Sequence, residues 1–166
     1  ALDYQRQENS FKIHPAIYAY IAYNEAISKY VLRTRYDGKK PNADPRKWEM
    51  ASKVLYKTGK PEMLRALIGE DLTRDFIAFC TQKVLSIEDV LNENYSEEDL
   101  KMDTSKKYIT IVNLSLVDEE NVEVIRDFVA KLGKELLATF YLLWTHGDET
   151  RLEKIAELKS EKTLKK

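Results

Sequence analysis

Apolar positions along this chain recur mostly at intervals of three and four, the period of helices that bury one face. Ile13, Ile17, Tyr20 and Ile21 keep that spacing through Ile13–Tyr23. His14-Pro15 marks the start, because proline at a first helical position gives up a donor that would have no intrahelical acceptor. Asn24 reads as an interruption, followed by a shorter apolar segment, Ala26–Leu32, and a breaker-rich loop, Arg33–Ala43. Asp44-Pro45 reopens a helix, with Asp as N-cap and Pro in the first position. Its stripe is Trp48, Ala51, Val54 and Leu55, and Thr58-Gly59-Lys60-Pro61 ends it. Pro61 begins a short helix (Leu64, Leu67, Ile68) that stops at Gly69. Leu72, Phe76, Phe79 and Cys80 then follow helical spacing, which predicts Cys80 as a small hydrophobe in the core.

The second half opens with two serines, each leading an acidic turn: Ser86-Ile87-Glu88-Asp89 and Ser96-Glu97-Glu98-Asp99. Serine caps and early carboxylates both favour helix N-termini. Lys106–Leu116 has β-branched character, yet Tyr108, Ile111, Val112 and Leu116 fit one helix face and no partner strand is evident, so helix is expected. Asp118 is expected to cap a helix bearing Val122, Ile125, Phe128, Val129 and Leu132, closed by Gly133. Leu136–Trp144 is apolar almost all round, which predicts a central, buried helix. Gly147 breaks it, and Leu152, Ile155 and Ala156 mark a last amphipathic helix. The Lys/Glu-rich tail after Leu158 (159–166) is expected to fray.

Composition narrows the class. Five glycines and four prolines in 166 residues leave little turn chemistry for many short strands. The expected fold class is therefore all-α, a compact multi-helix bundle forming a single domain over residues 1–166, with no linker or repeat. Lys+Arg is 27 against Asp+Glu 28, a formal charge of −1 with a pI near 6.2. That balance argues against a nucleic-acid binder, and the acidic stretch Glu88–Asp103 offsets the basic set Arg33, Arg35, Lys39, Lys40, Arg46 and Lys47. The single cysteine excludes an intramolecular disulfide. No apolar run approaches the ~20 residues of a membrane span. The polar stretch Ala1–Glu8 does not read as a signal peptide, so the cytoplasm is the expected address.

Candidate chemistry is sparse. There is no G-x-x-x-x-G-K-[ST] phosphate loop, no G-x-G-x-x-G and no G-x-S-x-G elbow. His14 and His146 lack nearby Cys partners, which argues against zinc, and each reads as a cap or surface residue. Arg46 and Lys47 are the exception. They occupy the first turn of the Asp44 helix, where the dipole disfavours cations. Free amides at a helix start together with a guanidinium make a competent phosphate site, and the fixed fork of Arg46 suits it better than Lys47. Trp48 reads as core rather than as a base-stacking platform.

Ile13-His14-Pro15-Ala16-Ile17, a second short apolar segment, a Pro-containing loop and Asp44-Pro45-Arg46-Lys47-Trp48-Glu49-Met50-Ala51-Ser52 together resemble the C-terminal helical region of MoxR-type AAA+ ATPases. That family carries a His-Pro helix start followed by a Thr-Pro-Arg-Ser-Trp-Glu-like start. The resemblance continues through Ile68-Gly69-Glu70, Phe76-Ile77-Ala78-Phe79 and Ser86–Leu91 and covers residues 10–105; the helices of 106–158 would pack on that lid. It departs from the family at Asp44, commonly Thr or Ser, and at Lys47, commonly Ser; Asp44 sets a negative charge near the phosphate.

The resemblance implies a helical lid that follows an α/β nucleotide-binding core. Arg46 would be the sensor-2 residue, reaching ATP (with magnesium) held by that core. The phosphate loop, magnesium-binding motif and arginine finger would lie upstream of Ala1, so the chain would be a non-catalytic piece of an ATPase. Implied partners are the upstream core of the same chain, a ring homo-oligomer and a von Willebrand factor A-domain protein, with chaperone-like remodelling as the task. The residues leave open an alternative: a free-standing helical protein–protein interaction module without a nucleotide role.

Overall fold

The computed structural model describes residues 13–27, 29, 31–32, 43–146 and 148–164, with side chains described as far as Lys159. Among these residues the chain is all-α, with ten α-helices, one 3₁₀ turn and no strand. None of the helices is long and apolar enough to cross a membrane. The contacts divide the chain into two compact units, Ala1–Thr81 and Gln82–Lys166. The change of unit falls at the end of the helix that carries Phe76 and Phe79, whereas the sequence motifs change character near residue 105. Residues just after Thr81 are tied forward along the chain: Ser105 Oγ donates to Gln82 Oε1 at 2.7 Å and Asn113 Nδ2 to the Leu85 carbonyl at 2.7 Å.

The first unit contains α1 (Pro15–Ala26), α2 (Pro45–Thr58), a 3₁₀ turn (Pro61–Leu64), α3 (Arg65–Ile68) and α4 (Glu70–Cys80). Both long N-termini follow from the Pro-led starts. His14 Nδ1 accepts the Ala16 amide at 3.2 Å, and Asp44 Oδ1 accepts the Lys47 amide at 2.9 Å. At the far end of α2, Gly59 adopts the left-handed conformation (φ 63°), a strained one for residues with a Cβ, and its amide donates to the Leu55 carbonyl at 2.8 Å. The core gathers around Tyr20. Its ring lies edge-on to Phe76 and Phe79 (centroids 5.3 and 5.5 Å) and tilted against Trp48 at 5.7 Å. Ile17, Ala51, Leu64 and Ile68 are also buried in this unit.

Asn24 does not interrupt α1. It is fully buried, and its Nδ2 donates to the Tyr20 carbonyl one turn back at 2.7 Å, so the helix absorbs the polar side chain instead of ending there. The expected apolar segment Ala26–Leu32 is therefore not a helix of its own: Ala26 ends α1, and Ile27, Lys29, Val31 and Leu32 lie outside helices. Ser28, Tyr30 and residues 33–42 of the expected loop fall outside the described residues. Cys80 sits at the end of α4 half-buried rather than fully in the core, and burial pushes its thiol up to about 12.

The second unit contains α5 (Ile87–Leu91), α6 (Glu97–Leu100), α7 (Thr104–Leu114), α8 (Val122–Leu132), α9 (Lys134–Thr145) and α10 (Glu149–Leu164). Helix α9 packs on α7, α8 and α10, and α5 packs on α8. Ser86 and Ser96 each complete a capping box with the carboxylate three residues on, as the two serine-led acidic turns predict. Gly133 (φ 145°) joins α8 to α9 without an intervening loop, a backbone geometry that a side chain would strain.

The disputed segment Lys106–Leu116 is helical as α7. Its buried set, however, is Tyr108, Ile109, Thr110, Ile111 and Leu114, and Leu116 lies beyond the helix at 72% exposure. Asp118 caps the turn before α8 rather than α8 itself: its Oδ1 accepts the Asn121 amide, and the helix starts at Val122. The five apolar positions assigned to α8 are all buried. Leu136–Trp144 is not buried all round. Leu136, Phe140, Leu143 and Trp144 face the core, while Leu142 is 58% exposed. Gly147 falls outside the described residues. In α10 the buried positions are Ile155 and Leu158, whereas Leu152 and Ala156 are exposed, and the helix extends to Leu164.

Candidate functional site

The Arg46 region can be built up from its backbone. Pro45 is the first residue of α2 and has no amide hydrogen to offer. The Lys47 amide is taken by Asp44 Oδ1 and the Trp48 amide by the Asp44 carbonyl at 3.2 Å. The expected row of free amides thus reduces to one, that of Arg46. The Arg46 side chain is exposed and makes no ion pair or hydrogen bond among the described residues. Lys47 beside it is half-buried. Arg33, Arg35, Lys39 and Lys40, the rest of the candidate basic set, lie outside the described residues.

What holds Arg46 in place is the opposite face of α2. Trp48 is 1% exposed, and its Nε1 donates to the Val31 carbonyl at 3.3 Å. That burial rules it out as a stacking platform and agrees with the core assignment. Ser52, also fully buried, accepts the His14 amide at 2.7 Å through its Oγ, tying α2 to the start of α1. With both the Trp48 and Ser52 turns pinned, the rotation of α2 is fixed and Arg46 is left on the solvent side.

Several carboxylates and both histidines are engaged structurally. Hydrogen bonds from Ser86, its backbone amide foremost, hold the Asp89 carboxyl below the usual range, and Ser96 does the same for Asp99. Asp103 is lowered chiefly by the Lys106 amide. Burial pushes Asp75 up, but hydrogen bonds from Lys29 (2.9 Å) and the Tyr20 hydroxyl (2.7 Å) outweigh it and leave the carboxyl lowered. Depressed carboxyls of this kind stay ionised and make poor general acids. His14 caps α1 and packs against Tyr56 at 4.7 Å; the His146 amide bonds back to Leu142 at the end of α9. No group of three metal-ligating side chains comes together among the described residues. The Tyr20–Asp75–Lys29 network was not legible in the sequence: its members are 46 and 55 positions apart, and none carries a local motif.

Comparison with protein-family models, with curated proteins and with solved structures gives no match to this chain.

Proposed function

We propose that the chain contains the helical lid of a MoxR-type AAA+ ATPase and that Arg46 is its sensor-2 residue. ATP, with its magnesium, is held by an α/β core in the same polypeptide, and Arg46 stabilises charge on the terminal phosphate. The observation that carries this reading is the state of Arg46: an exposed guanidinium with no ion pair, beside the one uncommitted amide of a helix start that disfavours cations, on a helix whose opposite face is pinned. A phosphate accounts for that placement, because its charge exceeds the dipole's partial charge of about half a unit. Assembly into a ring, chaperone-like remodelling, a von Willebrand factor A-domain partner and a cytoplasmic location accompany the proposal.

The test is Arg46→Ala in the polypeptide that joins this region to its nucleotide-binding core. ATP turnover falls by about 10²-fold, the scale for loss of one charge-stabilising donor, while Tm holds. Arg46→Lys recovers only part of the loss, since a point charge lacks the fork geometry. Turnover unchanged in Arg46→Ala removes the nucleotide role and leaves the interaction-module reading.

A further inference from the structure

A cleft of about 250 Å³ opens in the second unit between α8 and the turn that follows α5. Its floor is apolar, formed by Val90 and Phe128, and Tyr95 stands edge-on to Phe128 at 4.8 Å to make one wall. Val124 lies at the cleft and is 47% exposed, so apolar surface remains uncovered there. The volume suits one long side chain entering from outside.

The polar lining sets which side chain. Two carboxylates, Glu93 and Asp127, and one ammonium, Lys131, line the cleft. Lys131 is already directed onto the wall: its Nζ donates to the Tyr95 hydroxyl at 3.3 Å and lies 5.8 Å from the ring centroid. Asp127 accepts from the buried Arg126 at 2.8 Å. Glu93 differs from both. Its side chain makes no ion pair or hydrogen bond among the described residues, and its backbone adopts the left-handed conformation (φ 53°). A residue with a Cβ adopts that conformation at a cost. The segment that carries Glu93 has the same sign along the sequence. From Ser86 to Asp103 the chain carries Glu88, Asp89, Glu93, Glu97, Glu98, Asp99 and Asp103 against the single cation Lys101. A negative field steers a cationic partner and repels an anionic one.

From this complementarity we propose that the cleft receives a lysine side chain of a partner protein. The aliphatic stem lies on Val90, Val124 and Phe128, and the ammonium reaches Glu93, so a single side chain satisfies both the apolar floor and the acidic rim. The site is independent of Arg46 and of any nucleotide role.

The experiment titrates the full chain, labelled for NMR, with a blocked heptapeptide, Gly-Ala-Leu-Lys-Leu-Ala-Gly, and with the same peptide carrying norleucine in place of lysine. The lysine peptide produces saturable shifts at Glu93, Tyr95 and Val124, and norleucine weakens binding by about tenfold, the equivalent of ~1.4 kcal/mol. Glu93→Gln, an exposed change that keeps side-chain shape, removes the preference for lysine while leaving the spectrum elsewhere unchanged. Raised salt weakens the lysine peptide more than the norleucine one. Equal binding of the two peptides, a preference for lysine that survives Glu93→Gln, or no saturable shift at the cleft with either peptide overturns the proposal.

Discussion

The starts of α2 and of α5 and α6 face the same electrostatic problem and meet it with opposite charges. Helices α5 and α6 are one turn long, and each places serine at the cap and carboxylates in the first turn, so side-chain bonds and dipole act together. Helix α2 runs for 14 residues and has a capping Asp44, yet it puts Arg46 and Lys47 where cations are disfavoured. The difference lies in what else stabilises each element. A single turn has almost no buried face of its own; α6 buries none of its residues and α5 only Val90. Helix α2 buries Trp48, Ala51, Ser52 and Leu55. Packing on that scale exceeds a dipole term of about 0.3–1 kcal/mol, so the first turn of α2 is released from serving the fold. A residue released in this way, and charged against local preference, is where a ligand role should be sought.

Removing the anchor breaks this comparison most severely. Trp48→Ala empties the centre of the first unit and should cost about 3–5 kcal/mol in chemical denaturation. The first turn of α2 should then exchange its amides as readily as an isolated helix end. The caps come next. Ser86→Ala or Ser96→Ala should cost about 1 kcal/mol each, with faster amide exchange confined to α5 or α6. In contrast, His14→Ala should perturb α1 less in relative terms, because the buried Ile17 and Tyr20 continue to hold it.

Acid should separate the two kinds of start. Asp89, Asp99 and Asp103 have carboxyls held below their unfolded values, so they bind protons later in the folded state than in the unfolded one. Their contribution is fully present above the ordinary carboxylate range near about 4 and is lost as pH falls through the depressed values. Amide exchange followed from about pH 5 to about pH 3 should therefore show the starts of α5, α6 and α7 loosening together. Simultaneous loosening throughout the second unit would instead indicate global acid unfolding. The smallest effect expected is from charge reversal on an exposed first turn. Glu88→Lys should lower Tm slightly, whereas Arg46→Ala should leave it unchanged or slightly raised.

Where a local rule governs an element, its start was legible from residues alone. His14-Pro15, Asp44-Pro45, Ser86 and Ser96 all cap or open helices as their chemistry requires. Arg46 stood out for the same reason, being a violation of such a rule. The misreadings occurred where a neighbour decides. Asn24 looks like a break because a buried amide needs a partner, and that partner is the carbonyl one turn back. Asp118 has the chemistry of a cap but spends it on the preceding turn. Leu142 and Leu116 continue apolar patterns, yet both are exposed, with no element among the described residues covering them. The cleft beside Val124 draws on residues from Val90 to Lys131, a convergence that no local spacing announces.

The central proposal is that Arg46, at the capped start of α2, is placed for a phosphate rather than for the helix, and amide exchange at Arg46 tests it most directly. In a polypeptide that joins this region to the proposed nucleotide-binding core, exchange at that amide is measured with and without ATP, in the native sequence and in Arg46→Ala. The account predicts that ATP slows exchange at the α2 start and that Arg46→Ala abolishes the slowing without loosening α2 in the absence of nucleotide. Exchange indifferent to ATP in the native sequence, or an α2 that loosens in Arg46→Ala without ATP, would contradict it.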